Sequence, residues 1–356
     1  MSTVLGLNYG DEGKGLTTSF LVSQTSNPIV VRFNGGQQAG HTVNFGGKRH
    51  VFSNFGSGTL QKAPTYWSKF CTFDPISFFN ECNVLTSLEV NIPSFWIDPL
   101  CPVTTPFDIL ANRTGEYILN STVGAGFGTT LQRQESYYKL FVKDLFYENV
   151  VKAKLEGIAT YYHINNHDLK EECINSFIEA VREVKHMLNI RDTSILKHFN
   201  PIFEGAQGIL LDQDHGFFPN VTRSNTTCKN INDIYPRDTN DEVYYVTRTY
   251  LTRHGNGYMP NEDKVNLVNN QGETNKDNAF QGNFRIGSLD HDLIKYSLDC
   301  DKEFNHICQN KNLVITCMDQ HPIDVDYLLS ELKFYFDRVF ISKGASFDNI
   351  EEYKQK

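Results

Sequence analysis

The residues of this chain best suited to chemistry are two acids and a lysine set among glycines, Gly10-Asp11-Glu12-Gly13-Lys14-Gly15, and a histidine, His41, behind a second glycine turn. Glycines let consecutive backbone N–H groups converge on one concavity, a following helix adds partial positive charge at its start, and Lys14 adds a full one. That is a phosphate cradle. Asp11 and Glu12 run against it, because a plain phosphate site excludes negative charge. A carboxylate beside phosphates makes sense where it binds Mg²⁺ or takes a proton from a substrate. The spacing is not that of the Walker loop, which places four residues between its first Gly and Gly-Lys-Ser/Thr. A structural strand-to-helix turn fits the bare pattern as well.

The elements that position these residues follow from periodicity. Val4 to Leu7 is an apolar run that reads as a buried strand, and Leu16 to Val22 continues from the loop as a helix. Pro28 to Phe33 reads as a second strand and runs into Asn34-Gly35-Gly36-Gln37-Gln38-Ala39-Gly40-His41-Thr42. Two strands ending in two glycine-rich turns place both turns at the carboxyl edge of a parallel sheet, where α/β proteins put their ligands. Ser121 to Thr129 is a third glycine-rich loop whose hydroxyls suit a phosphate or, equally, a tight turn on the core.

Leu140 to Glu156 and Asp168 to Leu188 read as helices, the latter with Leu169, Cys173, Phe177, Ile178 and Val181 as a core stripe. Val243 to Tyr250 and Leu313 to Thr316 read as late strands, and Val325 to Phe336 as a closing helix. Val339 to Ser342 reads as the last strand, with Gly344 in the edge turn after it. The polar stretch 256–284, between Arg253 and Arg285, has the length and composition of a mobile lid inserted into a single domain spanning 1–356.

At 356 residues with 40% hydrophobic and 21% charged residues, the chain can bury a large core. A net charge of −9 argues against general affinity for nucleic acid. Eight scattered cysteines without a Cys-x-x-Cys pair read as reduced thiols, and no apolar run reaches transmembrane length, so a cytoplasmic location is expected with no membrane partner.

Taken together, the motifs resemble one family. Gly10-Asp11-Glu12-Gly13-Lys14-Gly15 and Gly35-Gly36-x-x-Ala39-Gly40-His41-Thr42 are similar to adenylosuccinate synthetase. So are Phe203-Glu204-Gly205-Ala206-Gln207-Gly208, Leu211-Asp212-x-Asp214-His215-Gly216, Val221-Thr222-x-Ser224-Asn225-Thr226-Thr227, Thr252-Arg253-x-Gly255-x-Gly257, Arg285-x-Gly287-x-x-Asp290 and Thr316-x-x-Asp319, in that order. The resemblance implies an α/β fold with a large, mostly parallel sheet flanked by helices. It further implies a ligase that joins L-aspartate to C6 of IMP, driven by GTP or ATP through a 6-phosphoryl intermediate.

By that resemblance Asp11 and His41 are catalytic. Gly10, Glu12, Gly13, Lys14, Gly15, Gly40, Thr42, Arg285, Asp319 and Gly344 hold the triphosphate. Asp11, Gln38, Thr122, Thr129, Arg133, Gln207 and Thr222 hold the purine mononucleotide, with Arg133 reaching into the partner's site of a homodimer. Arg253 and Arg285 bind aspartate, and Asp11 with the Gly40 carbonyl binds Mg²⁺. Three departures touch substrate choice. Gln38 stands where the family has Asn, Thr316-Cys317-Met318-Asp319 lacks the family's Lys and so leaves ATP open beside GTP, and Gln281 to Arg285 is short of an arginine. These leave open the phage-type acceptor dGMP, which yields a 2-aminoadenine precursor. A nucleotide sensor without turnover is the alternative of another class.

Overall fold

The computed structural model describes residues 1–114, 122–262, 265–268, 275 and 280–354. Ten strands form the main sheet, numbered here in chain order: β1 Ser2–Gly6, β2 Pro28–Arg32, β3 Thr65–Trp67, β4 Phe95–Ile97, β5 Leu188–Ile190, β6 Asn200–Gly208, β7 Glu242–Arg248, β8 Asn310–Thr316, β9 Arg338–Ser342 and β10 Ile350–Glu352. Their spatial order is β10-β9-β8-β7-β1-β6-β2-β3-β4-β5, parallel throughout except for the β9–β10 pair. The sheet is the large, mostly parallel one that the motifs imply.

Alternation along β1 explains why it reads as a continuous apolar run. Leu5 faces one core with Val31, Phe203, Val243 and Ile315, and Val4 faces another with Val30, Ile202, Val246 and Val314. Both faces are buried, as parallel sheets require when helices cover each side. A third core, built on Phe55, Trp67, Phe73, Phe78 and Phe95, takes in the helices Pro75–Ser87, Glu148–Tyr161 and His167–Val184. No helix among the described residues is long and apolar enough to cross a membrane.

Several boundaries differ from the periodicity. The stretch 140–156 opens as a 3₁₀ turn, Val142–Phe146, because the Asp144 carboxylate accepts from Phe141 N and closes a tight turn before the helix at Glu148–Tyr161 begins. Helix His167–Val184 buries Cys173, Phe177, Ile178 and Val181, but Leu169 is exposed in its first turn. The closing helix stops at Leu332, where Lys333 turns left-handed. β9 is not the last strand, since the chain returns antiparallel as β10. Within the expected lid, residues 263–264, 269–274 and 276–279 lie outside the described residues, as does 121 at the head of the third loop.

Candidate active site

Six parallel strands bring their carboxyl ends to one cavity of about 720 Å³. The loop after β1 supplies Gly10, Asp11, Gly13, Lys14 and Gly15, and the loop after β2 supplies Gln38, Gly40, His41 and Thr42. Gln207 comes from the end of β6, Arg248 from the end of β7, Cys317 and Asp319 from beyond β8, and Gly344 from beyond β9. β1 lies between β6 and β7, so its loop opens where the strand order reverses direction.

The first loop separates its two acids. Gly10 and Gly13 take φ of 103° and 99°, and Asp11 takes φ 64°, which turns successive side chains to opposite sides. Glu12 points inward, where it is almost fully buried and accepts from Asn8 N at 3.0 Å, Gly10 N at 2.8 Å and Lys14 Nζ at 2.5 Å. Asp11 faces the cavity. Glu12 therefore closes the loop rather than binding triphosphate, which corrects the expectation for it and removes half of the charge conflict. Helix α1, Lys14–Gln24, begins at Gly13 with no side-chain cap and no acid in its first turn. Five other helices are capped by Asp74, Thr105, Asn166, Asp290 and Asp324, while Phe127–Glu135, Glu148–Tyr161 and Lys229–Ile234 are not, and none of those three starts in the loops after β1 and β2. An uncapped helix start on a cavity leaves amides and the positive end of the dipole for an anion.

The second loop is pressed onto the first. A Cβ on Gly15 would stand 2.9 Å from His41 Cβ, a separation that only glycine permits. Asn34 locks the loop to β6 by donating to Ala206 O at 3.0 Å and accepting from Ala206 N at 2.8 Å. His41 Nδ1 lies 2.8 Å from Glu204 Oε1, and Glu204 also accepts from Ser57 N and Ser57 Oγ, with Arg32 4.0 Å away.

Burial alone would raise the Glu204 carboxyl, but His41, Arg32 and Ser57 outweigh it and bring it down to about 2. Burial also lowers His41 below its ordinary value, as do the Arg32 and Lys14 charges, against the pull of Glu204. Nδ1 is thus the nitrogen that donates to Glu204, which leaves Nε2 for the cavity side. Asp11 is brought below the usual carboxylate range. Burial opposes this, and His254, Arg248 and Lys14 outweigh it. His254 Nε2 stands 3.1 Å from Asp11 Oδ2, and Arg248 Nε donates to the Asp11 carbonyl. Both Asp11 and His41 line the same cavity.

Other expected site residues sit elsewhere. Arg133 is fully buried and donates to Asp108 Oδ1 and Oδ2, Val103 O and Tyr138 O of its own chain, so it is not presented to a partner subunit. The Thr129 hydroxyl donates to Asp108 O and Gly126 O, and Thr122 Oγ1 accepts from Asn112 Nδ2 at 2.9 Å. Thr222 N donates to Leu211 O, and its side chain is not among the cavity lining. Arg253 lies over the Tyr9 ring, 4.3 Å from its centroid, and donates to the carbonyls of Asn220, Asn256 and Tyr258. Arg285 donates to Glu262 Oε1 at 2.5 Å and to Gly257 O at 2.8 Å. The buried Asp108, the partly exposed Glu262 and nearby carbonyls, invisible to motif spacing, engage these arginines outside the cavity lining.

Three cavity or support residues carried no role in the sequence reading: Glu204, Arg248 and His254. Each lies in or beside a quoted motif, and the signal available was a charged residue at the end of an otherwise apolar strand.

The site belongs with a known group of proteins. A family model described as adenylosuccinate synthetase matches residues 3–351. The adenylosuccinate synthetase of Tropheryma whipplei (strain Twist) is 29% identical over 361 residues, covering 93% of this chain and 81% of that protein. The fully ligated adenylosuccinate synthetase of Plasmodium falciparum has the same fold, with a TM-score of 0.79 at 19% identity over 99% of both chains. Cyanophage S-2L succinoaminodeoxyadenylate synthetase (PurZ), solved with dGMP and dATP, gives 0.71 at 16% identity over 99% of this chain and 94% of that one. With the family match running over nearly its whole length, this chain belongs to the adenylosuccinate synthetase family of C–N ligases.

Proposed function

We propose that this enzyme joins the amine of L-aspartate to C6 of a 6-oxopurine 5′-mononucleotide, with IMP as acceptor and GTP or ATP as phosphoryl donor. The observation that carries the reading is that Asp11 and His41, from two adjacent loops, line one cavity with the uncapped start of α1. Asp11, held ionised, takes the N1 proton of the purine. The electron pair moves onto O6, which attacks the γ-phosphorus as the nucleoside diphosphate leaves. His41, as the imidazolium that Glu204 supports, donates from Nε2 to O6 and so stabilises charge there and on the transferring group. Aspartate's amine then attacks C6, and the C6–O bond breaks to release inorganic phosphate.

The amides of Gly13, Lys14 and Gly15, with Lys14 Nζ, hold the triphosphate, while Gly40, Thr42, Asp319 and Gly344 line its path. Gln38 and Gln207 flank the mononucleotide; both side-chain oxygens are buried without a hydrogen-bond partner. Among the described residues no three His, Cys, Asp or Glu side chains group as a metal site. Mg²⁺, which binds through one or two carboxylates plus substrate phosphates, would be held by Asp11 and the Gly40 carbonyl. Held there, Mg²⁺ would supply charge neutralisation on the phosphates. Arg285 is the arginine for aspartate, released from Glu262 when the dicarboxylate competes for it. The assembly proposed is a homodimer in the cytoplasm.

A second reading, dGMP as acceptor, is favoured by the stretch Gln281 to Arg285, which is short of the arginine that the family places near a ribose 2′-hydroxyl. Incubation with Mg²⁺, aspartate, ATP or GTP, and either IMP or dGMP separates the two by the mass of the succinyl-bearing product. Product from neither acceptor rejects the ligase reading.

A further inference from the structure

His254 ends the strand Tyr250–His254, which pairs antiparallel with Phe284–Ser288, and in that register it stands opposite Phe284. Its ring lies 4.9 Å from the Phe284 ring and faces the cavity. Its Nε2 is 3.1 Å from Asp11 Oδ2. An ionised carboxylate has no proton to give, so Nε2 carries the hydrogen and His254 is the donor. The Asp11 backbone is fixed at φ 64° and tied through its carbonyl to Arg248.

The two 6-oxopurines differ in what they offer a carboxylate. Hypoxanthine presents one donor on its Watson–Crick edge, N1–H. Guanine presents two side by side, N1–H and the 2-amino N–H, and a carboxylate with both oxygens free grips them as a pair. Here the second leg of that grip is filled by the protein, and Asp11 Oδ1, with two lone pairs, is left for the purine N1–H and the Mg²⁺ of the ligase reading. Resting on the ligase reading above, we infer that His254 is a specificity-determining residue: by occupying Asp11 Oδ2 it selects an acceptor whose purine lacks a 2-amino group. His254 acts through Asp11 and is a positioning residue. The other acceptors nearby are the amide oxygens of Gln38 and Gln207, both buried without a partner. A 2-amino group received by either would erase the selection, so the binding ratio between paired acceptors decides the matter.

The test compares acceptors that differ only at C2, IMP with GMP and dIMP with dGMP. Binding is measured by calorimetry on the full-length enzyme with Mg²⁺ and a non-hydrolysable triphosphate, and turnover is measured in parallel. The wild type should bind the hypoxanthine member of each pair at least about tenfold more tightly, the scale on which a buried donor left unpaired is rejected. His254→Leu should shrink that ratio about tenfold by tightening the guanine member. His254→Gln, whose amide nitrogen can replace Nε2 as donor to Asp11, should restore the ratio, which a packing role against Phe284 would not do. Equal binding of the pair by the wild type overturns the inference, as does a ratio that His254→Leu leaves unchanged. Absence of turnover with every acceptor, in an enzyme that binds with the expected ratios, rejects the ligase reading while leaving the role of His254 intact.

Discussion

His41 Nδ1 and Glu204 Oε1, from the loop after β2 and the strand β6 beside it, lie 2.8 Å apart and are both buried. Glu204 is fixed in turn by Ser57 and Arg32, so the imidazole has one orientation and one tautomer. Glu204→Gln preserves shape but removes the charge that supports an imidazolium. We expect kcat to fall by about ten- to a hundredfold, with the mononucleotide KM changed less than about threefold, in steady-state kinetics. Unchanged kcat would remove Glu204 from the support of His41.

Asp11→Asn keeps the loop's size and the Gly10 and Gly13 conformations on which it depends. It takes away the base. Turnover should drop by a factor on the order of a hundred to ten thousand, while triphosphate binding measured without Mg²⁺, which rests on α1 and Lys14, stays within about threefold of wild type. Activity within about tenfold of wild type would mean that another group accepts the N1 proton.

Arg133 and Asp108 form a buried pair with no exposed surface. Removing one member leaves the other charged and uncompensated, so Arg133→Met should lower unfolding free energy by about 3–5 kcal/mol in a urea titration. Mixing this variant with Asp11→Asn should restore no activity, because Arg133 serves its own chain. Recovered activity in the mixture would place Arg133 across an interface after all.

Asp74 caps the helix Pro75–Ser87 by accepting from Ile76 N, and burial pushes its carboxyl up to about 6. A buried acid with a raised pKa holds its proton in the fold at pH values where the unfolded chain has released it. Its contribution to stability is therefore present below pH 3.8 and lost as pH rises through about 6. Asparagine caps as well and carries no charge. Asp74→Asn should raise stability by on the order of 2 kcal/mol at pH 7.5, and the gain should vanish near pH 4. Urea midpoints at the two pH values check it, and a gain equal at both would show that ionisation is not its source.

Residue types disclosed the centre of this molecule more readily than its supports. Gly10, Gly13 and Gly15 marked a loop where backbone must approach a ligand, and an apolar run buried on both faces marked β1, because each feature is local. The opposite fates of Asp11 and Glu12 were not legible, since they depend on a φ of 64° at one and on the amides of Asn8 and Gly10 at the other. The arginines misled for a related reason. Arg133 and Arg253 sit in the right order along the chain, yet Asp108 and three carbonyls claim them across the fold. His254 carried no role in the sequence reading, because only the fold sets it beside Asp11.

The central claim is that O6 of the purine leaves as part of phosphate. The most direct measurement uses IMP carrying ¹⁸O at C6, with aspartate, Mg²⁺ and GTP or ATP, and reads the released phosphate by mass spectrometry. Each phosphate released per product formed should carry one ¹⁸O. Product accompanied by unlabelled phosphate would contradict it.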